Sequence, residues 1–288
     1  MITDREFVRE KLPGRAEDTN KYRVGTLMCV CGSYKMAGAA VLAARSALRM
    51  GAGLVRCVVP EDIYPIVSSA VPEAVFEILT QNESGSIDKS CVSRVIRLAN
   101  KSDAVLLGCG LGLHPDMQSL VLSLFYHAEV PLIVDADGIN CISKHINVLK
   151  DRIFPTILTP HEGEMSRLSG LDAEYIRNHR EEVAVEFSRE NSAVVVLKGK
   201  DTVIARADRV PVHNPTGNPG MAVAGSGDVL AGMIASLVAQ GADCGDAAAV
   251  GAFLHGLAGD IAAQELTEYS MLPSDIIERI PRAIKECI

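Results

Sequence analysis

Short runs of apolar residues alternate with longer segments of mixed polarity along the first two thirds of the chain. Several of these runs are apolar at nearly every position, which is typical of parallel strands covered on both faces of a sheet. β-branched residues are frequent in them, which favours strands over helix fragments. The predicted strands are TLMCVC (26–31), LVRCVV (54–59), AVLLG (104–108), PLIVD (131–135), TILT (156–159) and AVVVLKG (193–199).

The segments between these strands have helical patterns. An alanine-rich helix is predicted over 36–50, a second over 88–101 with Asp88 as its N-cap, and a third over 161–170 that ends on Gly170. An amphipathic helix is predicted over 174–191. Repeated strand–helix alternation predicts right-handed crossovers and an α/β fold with a doubly wound, mostly parallel sheet that has helices on both faces.

The pattern changes near residue 201. The segment DTVIARADRVPVHN (201–214) predicts two short strands around a turn at Ala207–Asp208, and the remainder of the chain is almost wholly helical. No linker, repeat or low-complexity segment interrupts the sequence, so we expect a single domain over residues 1–288.

Glycine or polar residues follow nearly every predicted strand, at the edge of the sheet where open α/β folds bind ligands. The loops are CGSYKMAGAA (31–40), GCGLG (108–112), DADGIN (135–140), TPHEGE (159–164) and KGKDT (198–202). Each loop alone is explained equally well by ordinary turn geometry, but five at one edge favour a binding cleft. GCGLG lacks the third glycine of a dinucleotide fingerprint, and the Gly199–Lys200 pair lacks the rest of a P-loop.

The segment AGSGDVLAGMIASLVAQG (224–241) predicts a glycine-rich loop that leads into a buried helix. The N–H groups of a first helical turn point outward and carry partial positive charge, so Gly225 and Gly227 would let this backbone approach a phosphate. Asp228 is then either a helix N-cap or a general base that accepts a proton from an attacking hydroxyl group.

Composition and charge narrow the classes of partner. The chain is 48% hydrophobic and 22% charged, with a net charge of −8, so nucleic acid and membrane surfaces are not expected as partners. The N-terminal segment is charged and has no apolar stretch of a signal peptide, so we expect a cytoplasmic protein. The eight cysteines contain no C-x-x-C pair and are expected to be buried free thiols.

These residues carry a resemblance to a known family. GSGDVLAG resembles the signature of the ribokinase-like superfamily, and NPTGNPGMAVAGSGDVLAGMIASLVAQG (214–241) is similar to the ADP-dependent (S)-NAD(P)H-hydrate dehydratases. Five further segments resemble the same family in the same order, so the match extends over about residues 20–285. They are GSYKMAGAAVLAARSALRMGAGLV, LGCGLG, VDADGIN, ILTPHEGEMSRL and VVVLKGKDTVIA.

The resemblance implies a ribokinase-like fold and the repair of hydrated NADH and NADPH. The terminal phosphate of ADP, the co-substrate, would be transferred to the C6 hydroxyl group of the hydrate with the help of Mg²⁺. Phosphate would then leave and the dihydronicotinamide would reform, giving AMP and inorganic phosphate. The resemblance also implies a homotetramer. We expect no fused epimerase domain, so a separate epimerase would supply the S epimer.

The resemblance also assigns residues. Asp228 would be the catalytic base and would contact the hydrated cofactor together with Ala39, Gly112 and His161. Glu164 would help to hold magnesium, directly or through water. The nucleotide-binding residues would be Lys198, Gly199, Lys200, Asp201, Thr202, Asn214, Gly225 and Gly227. In one departure, Cys109 stands where the family is expected to have proline, which should make the turn less rigid.

Plainer explanations remain for several of these residues. Ala39 can be a helix-packing residue, His161 can be satisfied by backbone near a helix start, and Lys198 can pair with a carboxylate. His255 is expected to be a hydrogen-bonded core histidine. Two other functions also fit: a small-alcohol kinase acting on a hydroxymethylpyrimidine or hydroxyethylthiazole, and a nucleotide sensor without catalysis.

Overall fold

A computed structural model describes all 288 residues and contains one nine-stranded sheet. The strand order is β3-β2-β1-β4-β5-β6-β7-β8-β9; β1 to β7 are parallel, and β8 is antiparallel to both of its neighbours, β7 and β9. The strands are β1 Thr26–Val30, β2 Leu54–Pro60, β3 Val75–Leu79, β4 Ala104–Leu107, β5 Leu132–Val134, β6 Thr156–Leu158, β7 Val194–Leu197, β8 Val203–Ala205 and β9 Val212–His213.

Fourteen α-helices surround this sheet. They are α1 Arg5–Lys11, α2 Lys21–Val24, α3 Ala37–Arg49, α4 Tyr64–Ala70, α5 Val92–Ala99, α6 Pro115–His127, α7 Asp137–Ile142, α8 Asn147–Lys150, α9 Glu162–Ser169, α10 Ala173–Asn178, α11 Arg180–Asn191, α12 Ser226–Ala239, α13 Cys244–Leu266 and α14 Pro273–Lys285. No helix combines the length and the apolar character that a membrane crossing requires.

The sheet is covered on both faces, as predicted. Residues of β1 alternate between two separate cores, so that Leu27 and Cys29 pack with α3, α12, α13 and α14, while Met28 and Val30 pack with α5 and α6. This alternation follows from the two-residue period of a strand. Strand order reverses between β1 and β4, and ligand clefts of open α/β sheets form beyond the carboxyl ends of strands at such a point.

Three details differ from the sequence prediction. Strand β3 was not predicted, because its exposed edge position leaves Val75 and Ile78 outside the core and gives no clear pattern. The predicted helix over 174–191 is two helices separated at His179, whose ring stacks on Tyr175 at 4.1 Å between centroids. The hairpin is present, but its strands are shorter than predicted and residues 206–211 connect them.

The predicted helix ends and buried groups agree with the structure. Asp88 accepts a hydrogen bond from the Ser90 N–H at the start of a short 3₁₀ turn, Lys89–Cys91, that precedes α5. Gly170 ends α9 in the left-handed conformation. All eight cysteines are free; seven are buried and Cys244 is half-buried.

Candidate active site

Four strand-end loops and the first turn of α12 bring charged groups together beyond the carboxyl edge of the sheet. Asp135 directly follows β5, and its side chain is buried. Its Oδ1 accepts hydrogen bonds from the Lys198 ammonium at 2.6 Å and from the Thr159 hydroxyl at 2.7 Å. Because β5, β6 and β7 are adjacent, residues 135, 159 and 198 meet although they are distant in sequence.

Lys198 therefore pairs with carboxylates, as one of the two sequence interpretations allowed. Its Nζ lies 2.6 Å from Asp135 Oδ1 and 3.8 Å from Glu164 Oε2. Burial alone would lower the pKa of Lys198, but the two carboxylates outweigh burial and raise it. Lys198 therefore stays protonated and keeps a fixed positive charge in the cluster.

The first turn of α12 is open at its N-terminal end. Gly225 precedes the helix with a left-handed φ of 99°, and no side chain caps the free N–H groups. A Cβ built on Gly227 would lie 3.3 Å from Lys198 Nζ and 3.7 Å from Asp135 Oδ2, so glycine keeps this space open. Unpaired helical N–H groups that face an ammonium group form a site suited to an anion.

Asp228 lies in the first turn of α12 and is half-buried. It is not the N-cap, because Gly225 occupies that position, so the plain capping interpretation of Asp228 is wrong. Burial and then the nearby Asp135 carboxylate raise the pKa of Asp228 to about 7, although the Cys109 thiol and Lys198 oppose this. A carboxylate with a pKa near neutrality is suited to general-base catalysis.

Cys109 extends into the same cluster. Its side chain is fully buried, and its Sγ lies 3.8 Å from Asp135 Oδ2. A hydrogen bond with Cys31, burial and nearby carboxylates raise the pKa of the Cys109 thiol, which keeps it protonated. Cys109, at the position where proline was expected, thus places a thiol beside the candidate base. The sequence analysis expected only a less rigid turn there.

The loop at residues 198–202 is held by its own contacts. The Thr202 hydroxyl donates to the Gly199 carbonyl at 3.0 Å, and Lys200 and Asp201 are exposed. Gly199 has a φ of 155°, and a Cβ there would lie 2.8 Å from an Arg180 guanidinium nitrogen. The arrangement leaves backbone groups and the exposed Lys200 side chain available to a ligand, whereas the Thr202 hydroxyl already has a partner.

Asn214 is buried, and its side chain fixes the loop that leads towards α12. Its Nδ2 donates to the carbonyls of Thr216 and Ala252, each at 3.2 Å, and its Oδ1 accepts from the Thr216 hydroxyl at 2.9 Å. Asp260 accepts from the Gly217 N–H at 3.0 Å and from Asn218 Nδ2 at 2.9 Å. The loop that looks flexible in the sequence is therefore fastened to α13.

Glycines on α13 allow this close approach. A Cβ on Gly256 would lie 2.2 Å from the Thr216 hydroxyl oxygen, and a Cβ on Gly259 would lie 2.4 Å from Met221 Sδ. His255, on the same helix, is buried and lies 3.3 Å from the Ser226 hydroxyl, which confirms it as a core histidine. Burial lowers its pKa to about 4, so the imidazole beneath the start of α12 is neutral.

Besides Asp228, the residues expected to contact the hydrated cofactor lie at the ends of three different strand-to-helix connections. Ala39 is half-buried in the first turn of α3, where a Cβ on Gly110 would lie 2.7 Å from its own. Gly112 has a φ of 83° and donates its N–H to Asp137 Oδ2 at 2.8 Å. The strand order brings these two loops together, since β1 and β4 are neighbours.

His161 is the N-cap of α9 and forms a capping box with Glu164. Its Nδ1 accepts from the N–H groups of Gly163 and Glu164, and Glu164 Oε2 accepts from the His161 N–H at 2.9 Å. His161 is therefore hydrogen-bonded to backbone groups near a helix start, as the plainer explanation predicted. Even so, 54% of its side chain is exposed and remains open to a ligand. Both oxygens of Glu164 have neighbours, since Oε2 accepts from the His161 N–H and Oε1 lies 3.4 Å from His161 Nε2, so a contact with a metal ion is easiest through water.

Sequence reasoning did not select Asp135, Asp137 or Asp260 as site residues. The first two stand in DADG directly after a strand, which was an available signal. Between them Ala136 has φ 49° and ψ −115°, a conformation that non-glycine residues rarely adopt. Only the folded chain shows that this turn aims both carboxylates towards the site. Asp260 interrupts an apolar helix, which was also an available signal, but only the structure shows that its carboxylate holds Gly217 and Asn218.

Comparison with known proteins adds independent information. Residues 27–282 match the family model for NAD(P)H-hydrate dehydratase. The chain is 41% identical over 274 residues to the bifunctional NAD(P)H-hydrate repair enzyme of Thermofilum pendens, covering 95% of this chain and 52% of that protein. It is 37% identical over 253 residues to the ADP-dependent (S)-NAD(P)H-hydrate dehydratase of Neisseria meningitidis, covering 86% and 80% of the two chains.

Among solved structures, the ADP/ATP-dependent NAD(P)H-hydrate dehydratase of Bacillus subtilis, co-crystallized with ATP/Mg²⁺, superposes with a TM-score of 0.85. It is 31% identical, and the match covers 99% of this chain and 98% of that one. The likeness confirms the ribokinase-like fold. The chain spans about half the length of the bifunctional relatives it matches.

Proposed function

Because the chain belongs to the NAD(P)H-hydrate dehydratase family, we propose that it converts the S epimer of hydrated NADH and NADPH back to NADH and NADPH, with ADP as co-substrate. The products besides the repaired cofactor are AMP and inorganic phosphate. The reaction needs a base for one hydroxyl group and a cradle for one phosphoryl group. The arrangement at the start of α12 supplies both.

The observation that carries this proposal is the position of Asp228 on the uncapped first turn of α12, next to Lys198 and Asp135. Asp228 takes the proton from the C6 hydroxyl oxygen as that oxygen attacks the terminal phosphorus of ADP. With a pKa near 7, Asp228 is partly ionised at neutral pH and can also return the proton. A pure binding site has no need for such a carboxylate.

The transferred phosphoryl group is bound next to the free N–H groups of α12 and the Lys198 ammonium while its negative charge grows. Such pre-oriented donors stabilise charge that develops in the transition state and are each worth about 3–4 kcal/mol in enzymes. The phosphate then leaves C6, assisted by the lone pair of the ring nitrogen; the C5 proton passes to solvent and the 5,6 double bond reforms.

The remaining site residues bind and position the nucleotide and the hydrated cofactor. A phosphate oxygen would approach the backbone at Gly227, where a Cβ would lie 3.3 Å from Lys198 Nζ, and Gly225 belongs to the same turn. Residues 198–202 hold the nucleotide, chiefly through backbone groups and Lys200. Asn214 acts by fixing the adjoining loop. Ala39, Gly112 and His161 form the side of the cleft that receives the nicotinamide end.

Mg²⁺ fits the donor chemistry as an ion held mainly by nucleotide phosphates and water. Mg²⁺ prefers oxygen ligands and keeps several waters in such sites. Glu164, which lies 3.8 Å from Lys198, would reach it through water. When bound, the ion supplies neutralisation of the ADP phosphates.

The test incubates the purified protein with hydrated NADH and ADP and follows the absorbance of regenerated NADH. Regeneration that depends on ADP, with formation of AMP and phosphate, supports the proposal. Phosphorylation of a hydroxymethylpyrimidine or hydroxyethylthiazole with ATP, without NADH regeneration, would favour the small-alcohol kinase. Nucleotide binding without either reaction would favour the sensor.

A cytoplasmic location and a homotetramer belong to the same proposal, as does a separate epimerase activity that supplies the S epimer. Sedimentation velocity of the purified chain tests the tetramer. Adding an epimerase to a mixture of both epimers should raise the yield of NADH, because this site acts on one of them.

A further inference from the structure

Three potential metal ligands of mixed chemistry meet beside the α12 turn. Cys109 Sγ and one carboxylate oxygen each from Asp135 and Asp228 lie within 4.8 Å of one another. They come from the loop after β4, the end of β5 and the first turn of α12. None of them is the residue to which a magnesium role was assigned.

The two oxygens of Asp135 have different surroundings. Oδ1 accepts from Lys198 and Thr159, whereas Oδ2 receives no N–H or O–H hydrogen bond and its one hydrogen-bond donor is the Cys109 thiol, at 3.8 Å. The Asp135 side chain is only 2% exposed, so water does not readily satisfy this oxygen. A buried carboxylate oxygen that lacks a strong donor and points into the cluster is suited to a cation.

The charge of the cluster and the type of its donor atoms indicate which cation it would bind. Three carboxylates, Asp135, Glu164 and Asp228, surround the single ammonium group of Lys198, so the cluster attracts positive charge. Mg²⁺ and Ca²⁺ prefer oxygen alone, whereas a thiolate with carboxylates suits Zn²⁺ and Cd²⁺. Zinc bonds of about 2.3 Å to sulfur and about 2.0–2.2 Å to oxygen place the donors of a tetrahedral site about 3.4–3.6 Å apart, so side-chain movements of about 1 Å would close the three donors around the metal.

We propose that Zn²⁺, or a softer thiolate-binding cation such as Cd²⁺, binds Cys109, Asp135 and Asp228 and inhibits the protein. On binding, the Cys109 S–H bond breaks, its proton goes to solvent and a sulfur–metal bond forms, with no change of oxidation state. The metal occupies the oxygen lone pair that Asp228 needs as a base. The binding site does not depend on the proposed function, whereas the inhibition rests on it.

Cadmium binding is the direct test, since it needs no enzymatic assay. Titration of the full-length chain with Cd²⁺ should produce the ultraviolet charge-transfer absorption of a cadmium–thiolate bond. Cys109→Ser should abolish that absorption. Cys244→Ser, which removes the only thiol that is not buried, should retain it. Absence of the band in the wild type, or its persistence in Cys109→Ser, overturns the proposal.

Inhibition is tested with Zn²⁺ in the NADH regeneration assay, each protein being compared with its own metal-free rate. The half-inhibiting Zn²⁺ concentration should rise at least about tenfold in Cys109→Ser, because loss of a contributor to a metal site typically costs 10- to 100-fold in affinity. It should be unchanged in Cys244→Ser. Equal sensitivity of Cys109→Ser and wild type contradicts the inference. If no variant regenerates NADH, the proposed function fails and the cadmium titration still decides this site.

Discussion

Replacing Asp228 with asparagine tests the electrostatics of the site and its chemistry in one variant. The substitution keeps the shape of the side chain and removes its ionisation. Burial and the neighbouring Asp135 carboxylate raise the pKa of Asp228 from 3.8 to about 7 in the folded state. The unfolded chain has the ordinary value, so the two states bind protons differently between these pH values.

This difference in proton binding decides whether stability rises or falls with pH. Below pH 3.8 the carboxyl group is protonated in both states and does not affect the free energy of unfolding. As the pH rises towards 7, the unfolded chain ionises first, so wild-type stability falls; above 7 the loss is complete. Between pH 5 and pH 8 the wild type should lose roughly 2 kcal/mol relative to Asp228→Asn, at 1.36 kcal/mol per pH unit with allowance for solvent screening of a half-buried group.

The assay is urea unfolding of both proteins at pH 5 and pH 8. Titrating groups that do not interact with Asp228 are present in both proteins, so their contributions cancel in the difference. Asp18→Asn, which alters an aspartate side chain that is 83% exposed, is the matched control. In parallel, wild-type kcat/KM should fall about tenfold per pH unit below pH 7, and Asp228→Asn should lose at least about 100-fold in turnover while still binding ADP.

The reasoning is refuted if the stability difference between wild type and Asp228→Asn is the same at both pH values. A wild-type kcat/KM that stays constant from pH 8 to pH 5 would be equally damaging. Full turnover in Asp228→Asn would remove this residue from the mechanism, whatever the stability data show.

Three other changes probe the surroundings of Asp228. Gly227→Ala places a methyl group 3.3 Å from the Lys198 ammonium nitrogen, in the proposed phosphate position, and should raise KM for ADP at least about tenfold. Gly256→Ala places a methyl group 2.2 Å from the Thr216 hydroxyl oxygen and should lower the free energy of unfolding in urea by about 1–3 kcal/mol. Burial lowers the pKa of His255 from 6.5 to about 4, so the unfolded chain takes up the proton first as the pH falls; between pH 7 and pH 4 the wild type should lose about 3 kcal/mol more than His255→Gln.

Gly14→Ala is the control for both glycine variants, because a Cβ there meets no atom within 4 Å. It should leave KM for ADP unchanged and have little effect on stability. An unaltered KM in Gly227→Ala would exclude that space as a phosphate site. An unaltered urea midpoint in Gly256→Ala would mean that Thr216 can move away from the added methyl group without loss of stability. Parallel pH profiles for wild type and His255→Gln would refute the neutral, buried imidazole.

Much of the fold was predictable because its signals are local. A strand buried on both faces must be apolar at successive positions, and a helix must end where a residue such as Gly170 can adopt the left-handed conformation. Edge strand β3 was missed because exposure removes that signal. The break at His179 was missed because both flanking segments carry helical patterns and nothing in the sequence marks the non-helical φ of −130° at this residue.

The sequence by itself determined the turn that is proposed to bind phosphate. Gly225, Gly227 and Asp228 lie within four residues of one another at the start of α12, so local geometry alone keeps them together. Only the tertiary structure decided which side chains lie opposite the first turn of α12. Cys109, Asp135 and Lys198 come from three different strand ends, and only the order β4-β5-β6-β7 brings them to one corner with α12. The pKa of Asp228 arises there, because desolvation and the field of another carboxylate depend on distance in space and not on separation along the chain.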